Sequence, residues 1–198
     1  MSTFNCGGDM EHGYHSSLKG QFLLAMPGMS DPNFSRTVTC ICEHSAEGAV
    51  GITVNRVHPT LSAKNIFEEL KLLYTPQAGA LPIHIGGPVH IDEIFMLHGP
   101  PFDWLGCLMI TPFLAMSNTI DILKAVAAGR GPTSVMIALG CSGWGPYQLE
   151  SELGENTWLT SPLSCDIIFD TEIELRWKEA IRKMGINPLL LSEAAGHA

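Results

Sequence analysis

The sequence predicts an α+β domain built on a largely antiparallel or mixed sheet. Apolar runs rich in β-branched residues come in pairs joined by short polar links, as strands do. Stretches with apolar residues on a 3.6-residue period interrupt them, as amphipathic helices do. The two kinds of segment mix without the strict strand–helix–strand beat of a doubly wound fold. At 198 residues the chain fits a single compact domain and can bury roughly 70% of its extended surface. With 45% hydrophobic and 16% charged residues, it reads as a folded chain with a modestly charged skin.

Residues 1–17, MSTFNCGGDMEHGYHSS, are polar and lack periodicity, so they read as a flexible extension ahead of the domain at 18–198. QFLLAM follows Gly20 as the first apolar run and is closed by the turn signal PGMSDPNF. TVTCIC and GAVGITVN, separated by the polar link EHSAE, read as a hairpin. Its first strand places Val38, Cys40 and Cys42 on one face and Thr37, Thr39 and Ile41 on the other. Ser62 to Tyr74 reads as a helix capped by Ser62, with Ile66, Phe67, Leu70, Leu73 and Tyr74 inward and Glu68, Glu69 and Lys71 outward. LPIHI, the GGP turn at Gly86 to Pro88, EIFMLH and CLMIT continue as strands and turns. Asn118 to Ala128 is a helix with Ser117 as N-cap and Gly129 past its end. SVMIALG is a strand, Pro146 to Leu153 a short helix closed by Gly154, and DIIFD another strand. The last helix opens on a capping box, Thr171 with Glu174, and stops at Gly185.

The stretch ALGCSGWGPYQLESELGENTW, Ala138 to Trp158, is the first candidate site. Gly140, Ser142, Gly143 and Gly145 bracket Trp144, and Pro146 suits a first helical position. Read as a loop, the segment leaves backbone N–H groups converging on one spot, able to hold an anion or a carbonyl; a purely local structural role is the competing reading. It is neither a Walker A loop, having no lysine nearby, nor a GxSxG elbow, having Trp144 where glycine is required. Trp144 either stacks on a ring or plugs the loop onto the core. Cys141 is a packing residue or, with a helix end lowering its pKa, a reactive thiol. Glu150 and Glu152 read as exposed acids.

The second constellation is Cys42, Glu43 and His44 at the end of one hairpin strand, Asn55 and Arg56 at the end of its neighbour, and His98 ending EIFMLH. Strand ends are the usual place for sites on a rigid scaffold. His44 with Glu43 or Cys42 supplies a base or nucleophile pair, and His44, His98 and Glu43 are types that ligate metals. Ordinary strand capping and a Glu43–Arg56 ion pair are the commoner outcomes, so neither metal nor cofactor is expected.

The net charge of −9 argues against direct nucleic-acid binding, which needs a coherent basic surface. Arg176, Lys178, Arg182 and Lys183 form the one basic cluster and read as a solvated helix face. The six cysteines show no CxxC pair and no zinc spacing. No apolar run in the N-terminal region approaches a membrane span and no signal sequence is visible, so a cytoplasmic location with reduced thiols is expected.

Several of these segments, in this order, resemble the YqgE/AlgH family, a bacterial group often labelled transcriptional regulators. The carriers are AMPGMSDPNFSRTV, ICEHSAEGAVGITVNR, IHIGGPV followed by Leu97 and His98, LGCSGWGPYQLESEL, NTWL, Ile168 to Asp170, Arg176 with Trp177, and the terminal GHA. The resemblance implies a bent, barrel-like sheet flanked by helices, a cytoplasmic protein, and no established enzyme activity or cofactor. The polar positions it carries over are Asp31, Glu43, His44, Asn55, Arg56, His98, Trp144, Gln148 and Glu150. The chain departs from the family pattern at Glu93 and Ile94, where a basic residue and glycine are usual, and at Tyr147, where glycine is usual.

The leading functional expectation is a non-enzymatic regulatory or small-molecule-binding protein, acting on transcription at most indirectly. Its anionic or nucleotide-like ligand would sit between the 140–148 loop, with Gly143, Trp144, Gln148 and Glu150, and the Glu43 to Arg56 hairpin ends, Arg56 balancing the charge. One alternative is a hydrolase with Glu43 or His44 as base and the Gly140 to Gly145 N–H groups as oxyanion donors. Another is a regulator that binds a protein partner or DNA without a small ligand.

Overall fold

The computed structural model describes residues 17–27, 29 and 34–191. The expected extension at 1–17 lies outside the described residues except for Ser17, as do Asp31 and His197. Among the described residues the chain forms ten strands and six α-helices in the order β1 (Gln21–Ala25), β2 (Val38–Ser45), β3 (Gly48–Thr53), β4 (Val57–Ser62), α1 (Ala63–Glu69), α2 (Pro76–Gly79), β5 (Pro82–Ile85), β6 (Val89–His98), β7 (Leu108–Thr111), β8 (Leu114–Ser117), α3 (Ile120–Ala127), β9 (Val135–Trp144), α4 (Gln148–Gly154), β10 (Trp158–Pro162), α5 (Cys165–Phe169) and α6 (Arg176–Lys183).

All ten strands join one sheet whose main path runs β10-β1-β2-β3-β9-β6-β8-β7, with β5 parallel to β9 and β4 antiparallel to β5. The sheet is mixed, mostly antiparallel and open, so the α+β expectation holds while the barrel stays unclosed. The β2–β3 hairpin forms as its alternation predicts, with one irregularity: Cys42 is an extra residue between the Ile41–Gly51 and Glu43–Val50 pairs. Such a bulge bends and twists the strand that carries it.

Alternation along the strands sorts apolar side chains into three cores. Phe22, Leu24, Val38, Cys40, Phe95, Leu97, Met136 and Ala138 share one sheet face and pack against Ile167 and Ile168 of α5 and Trp177, Ala180 and Ile181 of α6. The opposite face of β6 and β9 gives Met96 and Ile137 to a core closed by α1, α2 and α3. The opposite face of β1 and β2 gives Leu23, Ala25 and Ile41 to a smaller core with Trp144, Leu149 and Trp158 under α4.

Several elements depart from expectation for identifiable reasons. The helix from Ser62 ends at Glu69 because Lys71 takes a left-handed turn (φ 55), which breaks the phase and leaves Leu73 94% exposed. Ser62 does open it, its backbone N–H donating to Asn65 Oδ1 at 2.9 Å. Strand β4 contains Pro59, which argues against a strand except at an edge; β4 pairs with β5 alone. DIIFD is α5 and not a strand, since so short an apolar run carries no decisive period. Ser117 belongs to β8, and Thr119 precedes α3. The Thr171 hydroxyl donates to Asp166 O at 3.0 Å, so the Thr171–Glu174 box does not form and α6 begins at Arg176 after a 3₁₀ turn at Ile173–Leu175.

Candidate functional site

The glycine-rich segment is not a loop. Gly140 to Trp144 is the second half of β9, paired with β3 through Ser142, Gly143 and Trp144 and with β6 through Cys141. Its glycines admit another backbone: a Cβ on Gly140 (φ +71) would lie 2.5 Å from Gly87 O, and one on Gly86 would lie 2.2 Å from Gly140 O. The GGP turn and the LGC bend therefore interlock main chain on main chain. Pro146 stands in the turn before α4, and Tyr147, not Pro146, flanks the helix in a left-handed conformation (φ 60). That conformation is what the glycine of the family pattern would adopt freely.

Trp144 is 7% exposed and meets Trp158 edge to face at 6.2 Å. Both indole N–H groups donate to the same oxygen of Glu152, at 2.9 and 2.8 Å, and Gln148 Nε2 donates to the other at 2.9 Å. Glu152, expected as an exposed acid, is thus the hub of a polar knot over the smallest core. The two indole donors stand eight residues before it and six after it, on separate strands, so no local motif reveals them. A cleft of about 430 Å³ runs beside this knot between Phe34, Pro88, Gly143 and Glu155. Cys141 is buried, and burial pushes its thiol pKa up, opposite to what a reactive thiolate needs.

The proposed hairpin residues separate into two groups, because an antiparallel hairpin places the end of its first strand at the start of its second. Glu43 and His44 lie at the tip, His44 opposite Ala49. Glu43 pairs with Lys19 Nζ at 2.9 Å. His44 is buried; its Nδ1 accepts from Leu18 N–H at 2.9 Å, and its Nε2 donates to Glu150 Oε1 at 2.9 Å. Glu150, expected to be exposed, is therefore half-buried against His44. With both ring nitrogens engaged, His44 has no lone pair free to act as a base.

Asn55 and Arg56 lie at the base of the hairpin. Asn55 Oδ1 accepts from Val38 N–H at 2.7 Å, and its Nδ2 donates to Arg36 O at 2.9 Å. Arg56 Nη2 donates to Ser35 O at 2.6 Å, and the Glu43–Arg56 ion pair does not form. His98 lies elsewhere, paired with Val135 at the opposite end of β9 from Trp144; at about 3.3 Å per residue these ends are up to about 30 Å apart along the strand. His98 is fully buried, its Nδ1–H donating to Gly99 O at 2.7 Å and its Nε2 accepting from the Ser117 hydroxyl at 3.0 Å, and burial holds its pKa low. Among the described residues no group of three His, Cys, Asp or Glu side chains is placed to hold a metal.

The base of the hairpin opens onto a different partner, α6. A cleft of about 820 Å³ lies between them, lined by Arg36, Asn55, Arg56, Lys178 and Arg182, with Trp177 and Ile173 beneath and Glu174 as its single acid. The Arg36 guanidinium lies 6.0 Å from the Trp177 ring centroid, and Arg182 pairs with Glu179. Lys178 and Arg182, expected on a solvated helix face, thus face the base of the hairpin. Their i, i+4 spacing does mark one face of a helix, but which strand faces it is a tertiary fact. Arg176, read with that same cluster, is buried instead.

No helix among the described residues is long and apolar enough to cross a membrane. The AlgH-like family model matches residues 22–189. A UPF0301 protein of Desulforapulum autotrophicum is 52% identical over 169 residues, which covers 85% of this chain and 89% of that protein. The solution structure of the AlgH protein from Pseudomonas aeruginosa is 41% identical, with a TM-score of 0.77 covering 96% of this chain and 100% of that one. A Corynebacterium diphtheriae protein of 20% identity, TM-score 0.63, covering 87% of this chain and 88% of that one, shares the fold. With the family pattern matched along nearly the whole described fold, the chain belongs to the AlgH-like family.

Proposed function

We propose that the protein binds a small anionic ligand, a phosphorylated or polycarboxylate metabolite of at most nucleotide size, in the cleft between the β3–β4 corner and α6. Its role is then regulatory, through ligand occupancy, and not catalytic. The observation that carries this reading is the lining: Arg36, Arg56, Lys178 and Arg182 face a single lining acid, Glu174, with Glu179 paired to Arg182 alongside, in a chain of net charge −9. Such local focusing of positive potential concentrates anions at a cleft. Arg56 is exposed, and its hydrogen bond to Ser35 O uses Nη2 alone; the rest of its fork is available for bidentate contact with phosphate or carboxylate. Trp177, Ile173 and Val57 add apolar surface for the body of the ligand.

Against a hydrolase stand the doubly bonded His44 and the strand pairing of the segment that would have furnished oxyanion donors. The test is thermal unfolding with pyrophosphate, citrate and adenosine monophosphate, in wild type and in the Arg56→Ala/Lys178→Ala double variant. A ligand at about 100 times its dissociation constant adds roughly 2.7 kcal/mol, a rise of about 5–10 °C for a domain this size. Wild type should show that rise with at least one anion and the double variant should lose most of it. Equal rises in both would remove the cleft, and none in either would remove the anion.

A further inference from the structure

Beyond that cleft, a smaller pocket of about 190 Å³ lies between β5, the start of β9, α5 and the 3₁₀ turn before α6. Its walls are largely apolar, including Leu81, Val135 and Phe169, and its charged or titratable side chains are His84 and Arg176. Arg176 is only 6% exposed. Its Nε donates to Thr171 O at 3.1 Å; its Nη1 donates to Val54 O and faces His84 Nε2 at 3.4 Å. All of these acceptors are neutral. Glu174 is the carboxylate that acts on the guanidinium, and no carboxylate among the described residues comes within ion-pair distance. The guanidinium's hydrogen bonds use Nε and Nη1 and leave Nη2 over. A cation buried without a counter-ion is expensive, and one lining a hollow can recover that cost from an anion placed there.

We propose that this pocket binds a small monocarboxylate with a short branched apolar tail, the carboxylate against Arg176 and the tail among Leu81, Val135 and Phe169. The volume corresponds to roughly six waters at about 30 Å³ each and falls below the roughly 300–1,000 Å³ of drug-sized sites. The walls choose between anions: phosphate or sulfate would keep several oxygens facing hydrocarbon, whereas a carboxylate has only two oxygens to bring to the remaining Nη2 donors. His84 does not compete for the anion's role. Its Nδ1–H is committed to Ile137 O at 3.3 Å, and burial together with Arg176 holds it neutral, its pKa lowered to about 4.

The experiment is calorimetric titration of the full chain with sodium 4-methylpentanoate, with 4-methylpentanamide as uncharged isostere and inorganic phosphate as bare anion. The acid should bind one per chain, and the amide and phosphate at least tenfold more weakly. Val135→Trp and, on another wall, Leu81→Trp fill the hollow and should each cost tenfold or more, read on whichever variant keeps the wild-type circular dichroism spectrum. Arg176→Lys keeps the charge without the fork and should weaken the acid. The Arg56→Ala/Lys178→Ala variant should bind it as wild type does, which separates this site from the larger cleft. Absent binding of the acid, equal binding of the amide, or a folded filled variant of undiminished affinity would each overturn the proposal. So would loss of binding in the Arg56/Lys178 variant.

Discussion

Two faces of the molecule carry its chemistry-bearing residues, and they solve the problem of charge differently. On the tryptophan face, the Glu152 carboxylate receives three N–H donors, two of them indoles, and His44 spends both nitrogens on Leu18 and Glu150. These polar groups are answered by protein. On the arginine face, Arg56 and Lys178 stand near one lining acid beside the Arg182–Glu179 pair, and Arg176 is buried against neutral acceptors. The contrast teaches that a cluster of polar residues in the sequence is no guide to a site by itself. A completed network holds structure together, and an uncompensated charge beside a hollow leaves work for a ligand.

The comparison can be broken most sharply at Trp144. Trp144→Ala should cost about 3–5 kcal/mol in urea unfolding, the range for large aromatic truncations in a core; a change under 1 kcal/mol would return Trp144 to the status of a free stacking platform. On the other face, His84 has a folded-state pKa of about 4 against an ordinary 6.5. The unfolded chain then binds the proton first as pH falls. Stability from this group is fully present above pH 6.5, declines as pH drops toward 4, and is flat below, for a total on the order of 3 kcal/mol. Unfolding free energies of His84→Asn measured from pH 7 to 4 should lack that component; an unchanged slope would show His84 to be charged or exposed.

Glu152→Ala should cost about 2 kcal/mol, since it strands two indole donors in a half-buried place, and Glu152→Gln should recover part by keeping an acceptor. Identical losses in the two variants would argue against the shared-acceptor geometry. The smallest effect belongs to Arg56→Ala/Lys178→Ala, which should shift unfolding by less than about 0.5 kcal/mol without ligand, as surface changes do. A large loss there would make the basic cleft a structural device like the tryptophan knot.

Much of the fold was legible because strands announce themselves by alternation. The β2–β3 hairpin, the run into β9, and α3 with Gly129 beyond its end follow directly from their residues. The second half of β9 was illegible for a physical reason: glycines that let two backbones touch look the same in sequence as glycines that free a loop. Pro59 hid an edge strand, and the five residues of α5 were too few to show a period. Of the candidate site, Asn55 and Arg56 were found by their place at a strand end. Their true neighbours, Lys178 and Arg182, come from α6, more than a hundred residues later. Glu43, His44, Gln148 and Glu150 gather at the other end of the hairpin, and His98 stands apart from both.

The most direct measurement is amide chemical-shift mapping of the full chain during titration with pyrophosphate. Shifts should centre on residues 36, 55–57 and 173–189, with the amides of residues 43–49 and 142–150 unmoved. Shifts centred instead on Trp144 to Glu150 and the hairpin tip would contradict an anion site in the α6 cleft.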